Sequence, residues 1–157
     1  MSKGAYVLFL NLPETRTIHI GRFGTFNFSK GCYLYVGSAM NNLEKRIARH
    51  MADKKRLHWH IDYVLPFAEV QDVLTIEAEN RIECTMNQAL SKNQSLEVAV
   101  KGFGSSDCRC ASHLWRAAPA HFSRNMRTWT KRDLSHIAQM FSSDFTVKWM
   151  EKEECIR

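Results

Sequence analysis

The stretch Gly31–Ala39, running almost directly into Asn41–His50, limits what this chain can fold into more than any other. Cys32-Tyr33-Leu34-Tyr35-Val36 is rich in aromatic and β-branched residues and stops at Gly37, the pattern of a short buried strand. Leu43, Ile47 and Met51 then recur every four residues, one apolar stripe of a helix. Asn42, Arg46, Arg49 and His50 are expected on another face, because residues three and four apart are helical neighbours. A strand delivers Tyr35 to a turn, and the helix leaving it carries Arg46 and His50. The polar chemistry gathers at one strand-to-helix corner.

The remaining segments supply partners for that unit. Gly4–Leu10 is a near-continuous apolar run, as expected of a strand covered on both faces. After a turn at Asn11–Thr15, the alternating Thr17–Gly21 predicts a hairpin partner for that first strand. Gly24–Gly31 reads as an irregular connection. Lys54–Leu65 opens basic and turns apolar, Val70–Ile76 reads as a strand, and Ile82, Met86 and Leu90 predict a helix over Glu77–Leu90. Lys101–Cys110 is a glycine- and serine-rich loop. A helix beginning near Thr130 and a closing strand at Phe145–Met150 complete the chain. With 157 residues and no repeat or long linker, residues 1–157 read as one domain.

No apolar run approaches the length of a membrane span, and MSKGAYVLFL lacks a signal-peptide cleavage site. The expectation is a cytoplasmic protein with no membrane role. Its five cysteines are an odd number, which favours reduced thiols over a disulfide framework. A net charge of +6 favours acidic partners, phosphodiester backbones among them.

Gly4-Ala5-Tyr6, then Tyr35-Val36-Gly37, an arginine on the next helix and a glutamate on a later one resemble the GIY-YIG nuclease superfamily. More closely, YVGSA (35–39), RHM (49–51), HWHIDYVL (58–65), IEC (82–84), GFGSSDC (102–108) and SHLW (112–115) resemble a small, largely archaeal branch of it. That branch is often labelled a domain of unknown function and is sometimes fused to endonuclease III. The resemblance covers a core of about residues 4 to 116 and leaves a basic extension at 117–157.

The resemblance implies an α+β fold, a small three-stranded antiparallel sheet flanked by helices, here with a C-terminal helical extension. It also implies hydrolysis of a nucleic-acid phosphodiester, DNA in a repair setting, with one Mg²⁺ or Mn²⁺. By position, Tyr6 and Tyr35 are its paired tyrosines, and Gly37 is expected to let the backbone turn sharply beside them. Arg46 is the motif arginine, His50 a position often held by histidine or tyrosine, and Glu83 the metal-binding glutamate. Ser38 stands where the excision-repair incision nucleases carry lysine, so Ser38, Lys45, Arg49 and Lys54 are the expected nucleic-acid contacts.

These residue types suit the reaction. Arginine's planar fork pairs with phosphate oxygens. A lone carboxylate with waters suits Mg²⁺, which dehydrates reluctantly. Tyrosine, with an ordinary pKa of about 10, needs a nearby cation to act as a base. Tyr6 is taken as that base and Tyr35 as orienting water or phosphate, with the reverse open. A non-catalytic nucleic-acid-binding module with the same fold and basic face is the alternative.

Other clusters have two readings. His58, His60 and Asp62 would share one side of an extended segment as a metal set, whereas at a helix start His60 and Asp62 would orient that helix beside the site. Cys108-x-Cys110-x-x-His113, with Cys84, carries zinc-capable atoms but lacks a C-x-x-C knuckle. It reads as buried free thiols, and zinc is not expected. Ser105, Ser106 and the neighbouring glycines offer backbone N–H groups to a phosphate. The C-terminal cations, Arg124, Arg127, Lys131 and Arg132, with Trp115, Trp129 and Trp149, form either a groove for a nucleic-acid strand or the solvated face of a helix packed on the sheet.

Overall fold

A computed structural model describes residues 2–118 and 128–151. The strands are β1 (Gly4–Leu12), β2 (Arg16–Ile20), β3 (Gly24–Phe28), β4 (Gly31–Ala39), β5 (Glu69–Glu77), β6 (Leu96–Val98), β7 (Leu114–Ala117) and β8 (Val147–Met150). The helices are α1 (Leu43–Met51), α2 (His60–Val64), α3 (Glu83–Ser91) and α4 (Lys131–Ser142). The main sheet is antiparallel and six-stranded, in the order β6-β7-β4-β1-β5-β8.

Every residue of β1 is buried, as its unbroken apolar run requires. It pairs with β4 from Gly4 opposite Ala39 to Leu12 opposite Gly31, and its other edge is taken by β5. Side chains alternate across the sheet. Tyr6, Leu8, Leu10 and Leu12 face α1, α2 and the β2–β3 hairpin. Ala5, Val7 and Phe9 face α3 and α4. Two cores result, one on each face, and the tyrosines belong to the first.

Several expectations are corrected. The sheet has six strands rather than three, because β5 and β4 each gain further partners, β8 on one side and β7 with β6 on the other. β2 does not pair with β1, whose edges are both occupied; it pairs with β3, the segment expected to be irregular, in a separate two-stranded sheet. α3 begins at Glu83 rather than Glu77, because β5 runs through Glu77 and the Ala78 N–H bonds to the Lys3 carbonyl. His50 does not share the polar face of α1. It lies seven residues after Leu43 and three after Ile47, on the buried side with them.

Described residues after Arg116, Trp129 and α4 among them, contribute to the core. α4 starts at a capping box in which the Thr130 and Asp133 side chains accept from each other's backbone N–H groups. It buries Leu134, Ile137 and Phe141 against the second face. The Trp129 indole N–H lies 3.1 Å from the carbonyls of both Leu10 and Tyr33, in the middle of the sheet. Trp115, also buried, donates to the Asn87 side chain. The packed-helix reading holds for this region, while Arg124 and Arg127 lie outside the described residues. Phe141→Ala is expected to destabilise the whole domain by about 3–5 kcal/mol in a denaturant melt; an unchanged midpoint would mean that α4 is a mere appendage.

Candidate active site

The pairing of Tyr6 with Gly37 across the β1–β4 ladder creates the centre of the site. The Tyr6 ring lies against Gly37: a Cβ there would sit 2.4 Å from the phenol oxygen and 2.5 Å from Cζ. Gly37 is therefore required by close approach inside a strand and not by a sharp turn, which corrects its expected role. Tyr35, two residues earlier, points to the same face, with its ring centroid 6.4 Å from that of Tyr6. Both phenols are buried, and burial pushes their pKa values well above the ordinary one, although Arg46 acts in the opposite direction.

Helix α1 supplies the next layer. The Asn42 side chain caps it by accepting from the Lys45 N–H at 2.9 Å. Its third turn places His50 Nε2 2.5 Å from the Tyr6 hydroxyl. His50 Nδ1 lies 4.0 Å from an Asp62 oxygen and has no hydrogen-bond partner among the described residues. Burial lowers the His50 pKa from 6.5 to about 3, so the ring is neutral at physiological pH. The Tyr6 hydroxyl donates to Nε2 in the tautomer whose proton sits on Nδ1, towards Asp62.

Asp62 ties this layer together. It is fully buried and accepts both Arg49 guanidinium nitrogens at 2.9 Å, with the His58 and Trp59 N–H groups at 2.8 and 2.9 Å. Burial opposes its charge, but these donors hold its carboxyl below the ordinary range. Asp62 thus starts α2, and His58, His60 and Asp62 do not form a shared metal set. Arg49 is committed to Asp62 and the Arg56 carbonyl. Arg46 donates to the Ser38 carbonyl at 3.0 Å, and both guanidinium groups lie over the Trp59 ring, 4.3 and 4.4 Å from its centroid.

These groups border a cavity of about 740 Å³. Tyr6, Tyr35, Ser38, Lys45, Arg46, Arg49, His60 and Glu83 line it. His50 sits behind Tyr6, and the exposed Lys54 does not border the cavity. Glu83 is buried; its Oε1 lies 3.7 Å from an Arg81 guanidinium nitrogen and its Oε2 has no hydrogen-bond partner among the described residues, whereas Glu79 is exposed and pairs with Lys3. From the loop come Gly104, Ser106 and Asp107. The Gly104 N–H is already spent on His60 Nδ1 at 2.9 Å. Trp59, Arg81 and Asp107 were not singled out from sequence; the HWHID stretch held the signal for Trp59, and nothing local marks the other two.

Next to Glu83 in the chain, Cys84 comes together with Cys108, Cys110 and the cavity-lining His113. Each offers one atom with metal-binding capacity, and these atoms lie within 4.8 Å of one another. The expectation of buried free thiols without zinc is corrected in part: the thiols are free, but they are only partly buried and gather with His113 into a possible metal-binding cluster. Their soft donors favour zinc over Mg²⁺ or Mn²⁺.

The sequence profile of the family described as "Domain of unknown function DUF123" matches residues 5–135. The chain belongs to the DUF123 family. The match begins beside Tyr6 and runs into α4, so it takes in every residue of the cavity. No curated protein matches this DUF123 chain, and no solved structure does. Among its described residues, no helix is long and apolar enough to cross a membrane.

The buried His50 gives the domain a definite acid response. Its folded pKa lies below its unfolded one, so the unfolded chain binds the extra proton and stability falls as pH drops from 6.5 towards 3. This residue alone is expected to remove about 2 kcal/mol between pH 7.5 and pH 5. Denaturant melts at the two values test it, with His50→Asn losing that part of the slope; equal slopes would contradict the assignment.

Proposed function

We propose that the cavity hydrolyses phosphodiester bonds of nucleic acid, DNA as the resemblance to the GIY-YIG nucleases implies, with Mg²⁺ or Mn²⁺ at Glu83. One observation carries this reading. Two phenols, a guanidinium and a buried carboxylate with an unpartnered oxygen, from four separate elements, border one hollow. An oxygen without a partner away from water is costly unless something binds it, and a hard divalent cation suits it.

Asp107 and Ser106 offer further oxygens in the same cavity. Bound there, the cation would neutralise phosphate charge and polarise the scissile phosphorus. Everything else is done by side chains. Arg46, held by the Ser38 carbonyl and Trp59, presents a fixed guanidinium to the phosphate. Lys45, exposed at the rim, adds a second positive charge.

Tyr6 receives the proton of the attacking water on its oxygen while passing its own to His50 Nε2. This relay avoids a free phenolate, which burial disfavours. The imidazolium that forms faces the Asp62 carboxylate at 4.0 Å. Hydroxide adds to phosphorus, the ester oxygen departs, and solvent protonates it. Tyr35 orients the water or the phosphate.

The test uses labelled duplex, flap, junction and RNA substrates, with and without Mg²⁺ or Mn²⁺. Metal-dependent cutting is expected, and Tyr6→Phe, Arg46→Ala and Glu83→Gln should each slow it by about 10²–10⁴-fold with folding retained. Salt-sensitive binding without any cut product would overturn the enzyme in favour of a non-catalytic nucleic-acid-binding module.

A further inference from the structure

Cys84 lies in the first turn of α3, Cys108 and Cys110 in the loop between β6 and β7, and His113 immediately before β7. The four donor atoms lie within 4.8 Å of one another, and Cys108 Sγ is 3.3 Å from His113 Nε2. All three cysteines are free thiols. We propose that these residues hold one structural Zn²⁺ and that the ion fixes the wall carrying Glu83.

The donor set fits the ion. Three thiolates and one imidazole form a Cys₃His site, and zinc takes four such donors as a tetrahedron. With Zn–S near 2.3 Å and Zn–N near 2.0 Å, neighbouring donors stand roughly 3.5–3.8 Å apart. The cluster already lies close to that spacing, so loading contracts its longer separations by about an ångström. Binding forms three Zn–S bonds and one Zn–N bond and releases the three thiol protons to solvent. A cleft of about 260 Å³, bordered by Cys84 and Cys110, opens the cluster to entering metal.

The protein fills all four positions, which leaves none for water or substrate and makes the site structural. It is chemically distinct from the oxygen site around Glu83, because thiolates select zinc whereas Mg²⁺ and Mn²⁺ prefer carboxylates. The ion would join the first turn of α3 to the loop between β6 and β7. Cys84 follows Glu83 directly, His113 itself borders the cavity, and the loop between them supplies Gly104, Ser106 and Asp107. Sequence spacing concealed the site because the remote ligand, Cys84, arrives only through the fold.

The experiment reads metal rather than activity, so its outcome is independent of whether the cavity cuts nucleic acid. Full-length protein purified without chelators should contain about one zinc per chain. Replacement by Co²⁺ should give the d–d bands of tetrahedral cobalt together with thiolate-to-cobalt charge transfer. Cys108→Ser and His113→Ala should lose stoichiometric zinc, whereas His113→Cys, which restores a four-sulfur set, should keep it. Removing zinc from the wild-type protein should lower its melting temperature. No thiolate-to-cobalt band in the folded wild-type chain, zinc content unchanged in Cys108→Ser, or a disulfide within the cluster would each overturn the proposal.

Discussion

The close approach of the Tyr6 ring to Gly37 is the constraint on which the site depends. β1 and β4 are paired over nine residues, so Tyr6 cannot move along the ladder without shifting the whole sheet. Its ring fills the space that a side chain at position 37 would occupy, and its hydroxyl then meets His50 on the helix leaving β4. A strand pair sets the position and a helix sets the hydrogen bond. The phenol is held from two directions by elements joined through a connection of only a few residues, Met40–Asn42.

Buried charge organises the next shell outward. Asp62 is removed from water, yet two guanidinium nitrogens and two backbone N–H groups satisfy it. Removing one partner of such a group costs about 3–5 kcal/mol, since the other is left buried and unpaired. This makes Arg49 more valuable as the partner of Asp62 than as a free phosphate contact. Arg46, by comparison, is held by the Ser38 carbonyl, the Trp59 face and the Tyr6 hydroxyl and by no carboxylate among the described residues, so its charge is left for an anion. Two arginines one turn apart thus diverge in role because only one of them can reach Asp62.

Much of this was legible in the chain. The apolar run of β1, the strand–turn–helix unit and the helix beginning near Thr130 are local patterns, and they appear where their residues place them. The resemblance to the GIY-YIG nucleases nominated Tyr6, Tyr35, Arg46, His50 and Glu83, and the fold brings four of them to one cavity, with His50 against Tyr6. What local patterns miss depends on distant pairing. Thr17–Gly21 alternates correctly for a strand, but no local signal tells that both edges of β1 are already taken. His50 looked polar by type, although its spacing from Leu43 and Ile47 places it inside. The Cys84 contribution is invisible in a spacing rule, because 24 residues separate it from Cys108.

The central claim is that Glu83 and the two tyrosines share one cation-binding hollow. Mn²⁺ titration followed by paramagnetic broadening of NMR signals tests it most directly, since Mn²⁺ prefers oxygen donors to the nearby thiols. The account predicts saturable broadening that is strongest at Glu83 and the residues lining its cavity, Tyr6, Tyr35 and the Gly104–Asp107 loop among them, falls off with distance from it, and is abolished in Glu83→Gln. Broadening that is absent, spread over the surface, or unchanged by that substitution would contradict it.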